Sequence, residues 1–184
     1  MRKAFFLSVI AALFSLLTLG CHKDPVVNLP EEVTLGESIV YLNGKVFDAV
    51  PDIYYRPFDQ LFFALFGQTK DNHDVGQLAN HLAFAFLPLR QGDYPIITER
   101  KYGVAAYPGF EQIFAEDLMG YTYEVDDKED GYFNITYLDT VAQVVKGRFK
   151  VKFKRMSKND IKEDLEMPKR LVFEGVFHEN YTIK

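Results

Sequence analysis

The sequence predicts an all-β fold, an antiparallel β-sandwich of about eight strands, and three observations predict it. From Ser38 onward, short apolar runs are broken by turn residues every eight to twelve positions. Between Val145 and Lys154, apolar and cationic residues alternate without a break. The chain also holds 17 Phe and 11 Tyr but no Trp, and Phe and Tyr favour strands. A thick aromatic core between two sheets is the expected use of these rings; the other reading is a greasy or sugar-stacking pocket, and the lack of Trp, the largest stacking face, counts against a sugar platform.

The elements follow in order. Ile39, Tyr41 and then Val46 to Val50 flank Asn43-Gly44. Asn-Gly is the strongest two-residue hairpin signal because both residues accept positive φ, so 38–42 and 45–49 are expected to pair. The segment QLFFALFG (60–67) is ambiguous, since Phe58, Leu61, Phe62, Leu65 and Phe66 fit helical spacing. Gly67 and the polar run TKDNHDVG favour a strand that ends in a loop. Such a strand is apolar on both faces and is expected to be central and covered. In HLAFAFLPL (81–89), Leu82, Phe84 and Phe86 alternate against Ala83, Ala85 and Leu87, and Pro88 is expected to place the strand end at an edge. RQGD (90–93) turns the chain into Tyr94 to Thr98.

Pro108-Gly109 is read as a turn after Val104 to Tyr107. FEQIFAEDLMG then leaves room for one short helix near 111–119, with Ile113, Phe114 and Leu118 facing inward and Gly120 as its cap. Tyr121 to Val125 is a strand, and DDKEDG (126–131) is a charged turn. Tyr132 to Tyr137 is a strand with Phe133, Ile135 and Tyr137 on one face. Next, Val145, Gly147, Phe149, Val151 and Phe153 form a buried face, opposite a ladder of Lys146, Arg148, Lys150, Lys152 and Lys154. After a loop through 157–169, Leu171, Phe173, Gly175 and Phe177 form the last inward face.

The N-terminus reads as an address. Arg2 and Lys3 precede a weakly polar-to-apolar run from Ala4 to Leu19, and Gly20 precedes Cys21, the only cysteine. That order matches an export signal over 1–20. The small residue before the cysteine resembles a bacterial lipobox, in which Cys21 carries the lipid as the first mature residue. The place three before the cysteine, usually Leu, is Thr18, with Leu17 one further back, so the lipobox is a relaxed one. Residues 21–37, with Pro25 and Pro30, read as a flexible tether, and 38–184 as a single domain. The expected location is the cell envelope, lipid-anchored to the outer membrane on its periplasmic or its outer face.

Composition and motifs exclude several chemistries. Losing Arg2 and Lys3 with the signal takes the cations from 21 to 19 against 26 acids, a net −7. That balance argues against a nucleic-acid partner. With Cys21 lipidated, no disulfide is expected. No G-x-S-x-G elbow and no G-x-x-x-x-G-K-[ST] phosphate loop occurs. The adjacent acids Glu31-Glu32, Glu116-Asp117, Asp126-Asp127, Glu129-Asp130 and Glu163-Asp164 read as solvated turns rather than carboxyls facing each other across a cleft. His73, Asp74 and His81 lie close in sequence, but nothing forces them to converge as a metal set. His178-Glu179 and His22 are equally bland. No catalytic residue, metal or cofactor is expected, and the protein is not read as an enzyme.

The stretches DGYFNITYLD, VVKGRFKVKF and LVFEGVF, with Asn43-Gly44-Lys45 and Phe47, resemble a Bacteroidetes lipoprotein domain family of unknown function. Further matches are Gly92-Asp93-Tyr94, Gly131 with Ile135-Thr136, Asp139, Gly147-Arg148-Phe149 with Val151 and Phe153, and Gly175 with Phe177. The resemblance implies an antiparallel sandwich in an envelope lipoprotein and no activity. Residues 108–120 and 155–169 fall outside it.

The candidate binding residues are Tyr54, Tyr55, Tyr107 and Phe110, aromatics beside prolines in expected loops. Loop aromatics at one end of a sandwich are where such domains usually bind. The lysine ladder reads as a solubility face, or as a surface for anionic headgroups or an acidic partner. The functional expectation is a non-enzymatic envelope-anchored lipoprotein, a binding or accessory module of unknown ligand, with an envelope protein or a glycan as the candidate partner. The alternative is a hydrophobic-ligand carrier with a β-barrel cavity, although the Trp of a lipocalin first strand is absent.

Overall fold

The computed structural model describes residues 26–56, 60–69, 78–98, 107–114, 118–119, 122–126, 131–157 and 168–184. The expectations for the signal, Cys21, His22, His73 and Asp74 lie outside these residues. Among the described residues the fold is all-β, with thirteen strands and no helix. Eight strands have six residues or more: β1 (Glu37–Leu42), β3 (Ala49–Arg56), β4 (Gln60–Thr69), β5 (Leu78–Leu87), β7 (Tyr107–Phe114), β10 (Tyr132–Asp139), β11 (Val144–Ser157) and β12 (Arg170–Asn180). The short ones are β2 (Lys45–Val46), β6 (Gly92–Pro95), β8 (Leu118–Met119), β9 (Thr122–Val125) and β13 (Thr182–Ile183).

Two sheets pack face to face as a sandwich and do not close into a barrel. The first runs β2-β1-β12-β11-β10-β6, with β9 pairing the far end of β11. The second runs β13-β3-β4-β5-β7-β8. All pairings are antiparallel except β13 on β3.

The Asn-Gly hairpin forms as expected, with Asn43 at φ 49° and Gly44 at φ 78°. Its ladder is shorter than expected, covering only Tyr41 with Val46 and Leu42 with Lys45. The Asn43 amide also ties the turn to β12. The backbone N–H of Val172 donates to Asn43 Oδ1 at 2.8 Å, and Asn43 N donates to the Val172 carbonyl at 2.8 Å. The chain then leaves the first sheet and enters the second at Ala49.

The inward faces of β11 and β12 are those read from the alternation. Phe149, Val151, Phe153, Leu171, Phe173 and Phe177 are buried. Phe63 and Phe84 of the second sheet meet Phe133, Phe149 and Phe177 of the first. Ring centroids lie 4.5 Å apart for Phe63 and Phe177, 4.8 Å for Phe84 and Phe133, and 5.0 Å for Phe84 and Phe149. The rings are tilted, which suits their quadrupoles. Each buried Phe contributes roughly 1.5–3 kcal/mol. This ring cluster packs the two sheets against each other at the centre of the core.

Two strand readings are corrected by β-bulges. In β5 the register shifts between Leu61 and Phe63 on the partner strand, and Phe86 takes φ 63°. The extra residue restarts the alternation, so Leu87 turns into the core and Phe86 turns out. In β10 a bulge between Ile135 and Tyr137 leaves Phe133 and Ile135 buried but puts Tyr137 outside. Pro88 follows β5, which is an interior strand rather than an edge.

The region after Tyr107 is also corrected. Pro108-Gly109 is no turn, and 110–114 is no helix; both lie within β7, opposite β5. Residues 115–117 lie outside the described set, and 118–119 are again strand. Pro108 lacks an N–H but sits where, among the described residues, β7 has only β5 as a ladder partner, so the missing donor breaks no described ladder on the other side.

The stretch expected as the end of a tether is docked on the first sheet. Val33 is buried, its carbonyl lies 3.1 Å from His178 Nδ1, and Gly36 N donates to the His178 carbonyl at 2.7 Å. Lys146 pairs with Glu32 at 3.3 Å. The lysine ladder points outward as read, but it is not an open solvent face. Lys152 is 7% exposed, Val172 opposite it and Val176 opposite Arg148 are buried, and Lys154 pairs with Glu124 at 3.0 Å.

Candidate functional site

The outer face of the second sheet is built from residues that alternate with the core. Inward-facing Ile53, Leu61, Phe63, Leu65, Leu82 and Phe84 are buried. Their neighbours in sequence therefore stand on the other side, where cross-strand pairing sorts them into rows. One row is Val50, Phe66 and His81, with Glu111 next in register. The second is Asp52, Ala64, Ala83 and Gly109. The third begins with Tyr54 and Phe62 and is completed by Phe86 at the bulge.

Two aromatic rows thus flank a row of small residues. Tyr54 and Phe62 stack at 5.2 Å with 8° between planes, and Phe86 meets Phe62 edge-on at 5.8 Å. Phe66 and His81 stack at 4.6 Å with 8° between planes. Between them the floor is closed at Ala64, which is 6% exposed, and opens toward Gly109. Among the described residues nothing lies within 4 Å of a Cβ built on Gly109. The result is a trough that crosses the strands, with ring side chains on both banks.

Charged groups gather at the β3 end. The Arg56 guanidinium sits 5.1 Å from the Tyr54 ring centroid and 5.0 Å from that of Phe62. Lys184 Nζ lies 4.1 Å over Tyr54 and 3.3 Å from Asp52 Oδ2. Each such cation–ring contact is worth about 0.5–1 kcal/mol at an exposed site. They set an ionic margin beside the stacked Tyr54 and Phe62 rings.

The expected rim does not form as read. Tyr54 and Tyr55 are in β3, not a loop, and they face opposite ways. Tyr54 joins the outer aromatic row, whereas Tyr55 packs against the core. Tyr107 and Phe110 are both strand residues of β7, in register with Ala85 and Leu82. Cys21 lies outside the described residues. Of the five residues singled out, only Tyr54 is placed on this face with its ring contacts defined.

Phe62, Phe66, Phe86 and Arg56 are not among the candidate binding residues of the sequence, and His81 enters there only as a metal candidate. The available signal was the two-faced apolar pattern of 60–67. The strand is central, as read, but its outer face is not fully covered, since Phe66 is 48% exposed.

Elsewhere the titratable groups serve the fold. Burial pushes the Tyr132 hydroxyl upward, with the Glu174 charge adding to it and Arg148 opposing it. Burial also raises Tyr94 and Tyr181. Among the described residues no group of three or more His, Cys, Asp or Glu could hold a metal ion.

No protein-family model, no curated protein and no solved structure matches the chain.

Proposed function

We propose that the protein is a lipid-anchored envelope lipoprotein that acts as a non-enzymatic binding module, and that the outer face of its second sheet is the binding surface. The observation that carries this reading is the placement of Phe86. A bulky residue at φ 63° costs about 1–2 kcal/mol of backbone strain. Strain of this kind collects at functional sites. Here it turns a ring away from the core and sets it beside Phe62 on the outside. The Arg2-Lys3 start, the apolar run and Gly20-Cys21 support the anchoring half of the reading. The carrier alternative needs a barrel around a cavity, and these sheets are not closed into a barrel.

A thermal-shift screen of the chain without residues 1–21, against glycans, fatty acids, haem and divalent metals, tests the binding half. A ligand at 100 times its Kd adds about 2.7 kcal/mol, a shift of roughly 5–10 °C for a domain of this size. The reading expects a hit whose shift disappears in Phe62→Ala. A screen without hits, or a hit that Phe62→Ala leaves intact, counts against it.

A further inference from the structure

We infer that the end of the sandwich formed by the 34–37 and 139–143 turns rests on the phospholipid bilayer that holds the anchor, and that Leu35 and Val141 are the residues that enter it. The inference rests on the reading of the chain as lipid-anchored at Cys21 and adds which end of the domain meets the membrane.

Strand pairing places both turns at one end. Tyr137, Lys146, His178 and Glu37 follow one another in register across β10, β11, β12 and β1. The 34–37 turn leads into this row, and 139–143 joins β10 to β11 just beyond it. The C-terminal residues pass the same end, where the Tyr181 N–H donates to the Gln143 carbonyl at 2.9 Å.

Both turns are firmly hydrogen-bonded, and both present an aliphatic residue to the outside. In the first, the Glu37 N–H donates to the Thr34 carbonyl at 3.0 Å, the Glu37 carboxylate accepts from the Thr34 N–H at 2.8 Å, and Gly36 supplies a φ of 87°. In the second, Asp139 Oδ1 accepts from the N–H groups of Val141 and Ala142. Turn positions favour Gly, Pro, Asn, Asp and Ser because those residues shape the turn. Gly36, Glu37 and Asp139 already do that work here, so Leu35 and Val141 add nothing to turn formation. Yet Leu35 is 51% exposed and Val141 94% exposed. One exposed aliphatic residue is ordinary. Two held out on the turns of one end, with Ile183 exposed at that end too, are placed to enter an apolar medium. Tyr137, exposed in the row below, adds a ring with a polar tip, a type enriched at membrane interfaces. The second sheet brings exposed Arg56, Arg90 and Lys184 to this end, which suits anionic headgroups.

The position of the tether decides for a bilayer as the occupant. Glu32 pairs with Lys146, and the Val33 carbonyl lies beside His178, so the N-terminal segment docks at the same row. Cys21 stands twelve residues before Val33, a reach of at most about 40 Å. From Lys146, β11 runs on for eleven residues to Ser157, about 37 Å. Contact through that far end would need the tether fully extended along the sheet. Contact through the turn end needs no such extension.

The test uses the full lipidated chain in vesicles of phosphatidylethanolamine and phosphatidylglycerol that carry a headgroup-linked quencher. With Cys21 converted to a thioether, a single new cysteine accepts a fluorescent maleimide. Thr140→Cys reports on the turn end, and Met156→Cys reports on the far end of β11, where Met156 is exposed. Apolar groups at a membrane interface sit about 5–10 Å into the headgroup boundary, so the Thr140 probe is expected to lose about half or more of its emission while the Met156 probe keeps its own. Adding Leu35→Asp and Val141→Asp to Thr140→Cys should restore most of that emission; circular dichroism and Tm verify that the variant folds. Flotation of the chain with the vesicles, compared with Cys21→Ser, checks the anchor separately. If the full chain does not float, the anchoring reading fails and the inference with it. If the chain floats but the Met156 probe is quenched as much as the Thr140 probe, or neither is quenched, the contact end is overturned while the anchoring stands. Undiminished quenching in the aspartate variant overturns Leu35 and Val141 as the residues that enter the bilayer.

Discussion

Phe149 lies across Gly175 so closely that a Cβ on Gly175 would meet the ring at 2.9 Å. The relationship is reciprocal, because Gly147 stands opposite Phe177 on the same two strands. The sequences Gly147-Arg148-Phe149 and Gly175-Val176-Phe177 run antiparallel, and each glycine receives the other's ring. Gly175→Ala overpacks this site and is expected to cost about 1–3 kcal/mol in chemical denaturation. Adding Phe149→Leu should recover part of that loss, giving a measurable coupling between the two positions. Gly147→Ala should cost more than Gly175→Ala, because the Asn134 carbonyl also blocks its Cβ.

Phe84 and Phe86 are two residues apart and should behave oppositely. Phe84 is fully buried, so Phe84→Ala should cost about 3–5 kcal/mol. Phe86 is strained at φ 63° and only half-buried. Phe86→Gly relieves that strain while deleting a ring, and its stability should stay within about 1 kcal/mol of wild type. Equal large losses at both positions in urea titrations would contradict the bulge.

These two positions also show what sequence reading can reach. Strict alternation identified the inner faces of β11 and β12 residue by residue, because an uninterrupted strand has a period of two. The same rule applied to 82–87 groups Phe86 with Leu82 and Phe84 and sets Leu87 on the opposite face, whereas in the structure Leu87 joins the buried face and Phe86 leaves it. A bulge adds one residue, and nothing in an Ala-Phe-Leu-Pro run announces it. Pro108-Gly109 was misread for a related reason. That pair usually marks a turn, yet it is tolerated in a strand that, among the described residues, pairs only with β5 at this position. The aromatic face was hidden because its rows come together only through cross-strand pairing. Phe62 and Phe66 were visible as apolar residues, but not as opposite banks of a trough.

Acid should weaken the fold at the β10–β11 turn. The backbone N–H groups of Val141 and Ala142 donate to Asp139 Oδ1 at 2.9 and 2.8 Å. These bonds, that from Ala142 first, hold the Asp139 carboxyl below its ordinary value of 3.8. A depressed folded pKa stabilises the fold above the unfolded value, and that stability is lost as pH falls through the folded one. Denaturant midpoints should therefore drop below about pH 4, and Asp139→Ala should lower the midpoint at pH 7 while flattening its acid dependence. A wild type and variant with parallel pH profiles would contradict this.

The anchoring claim rests on one atom, the Cys21 sulfur. Diacylglycerol supplies two acyl chains, enough for stable anchoring where one is marginal. In a bacterial host with an outer membrane, the full chain should fractionate with membranes and take up a clickable palmitate analogue. Cys21→Ser should abolish the label and move the protein out of the lipid-labelled fraction. Equal labelling of both chains would contradict the lipobox reading.

The most direct test of the central claim is an NMR titration of protein labelled at its alanine methyl groups, using a ligand that the thermal-shift screen selects. Ala83 sits on the trough floor of the second sheet, while Ala142 sits in the β10–β11 turn of the first. The account expects the Ala83 methyl to shift progressively with ligand and the Ala142 methyl to stay in place. A bound ligand that moves Ala142 and leaves Ala83 untouched would show that the outer aromatic face is not the binding surface.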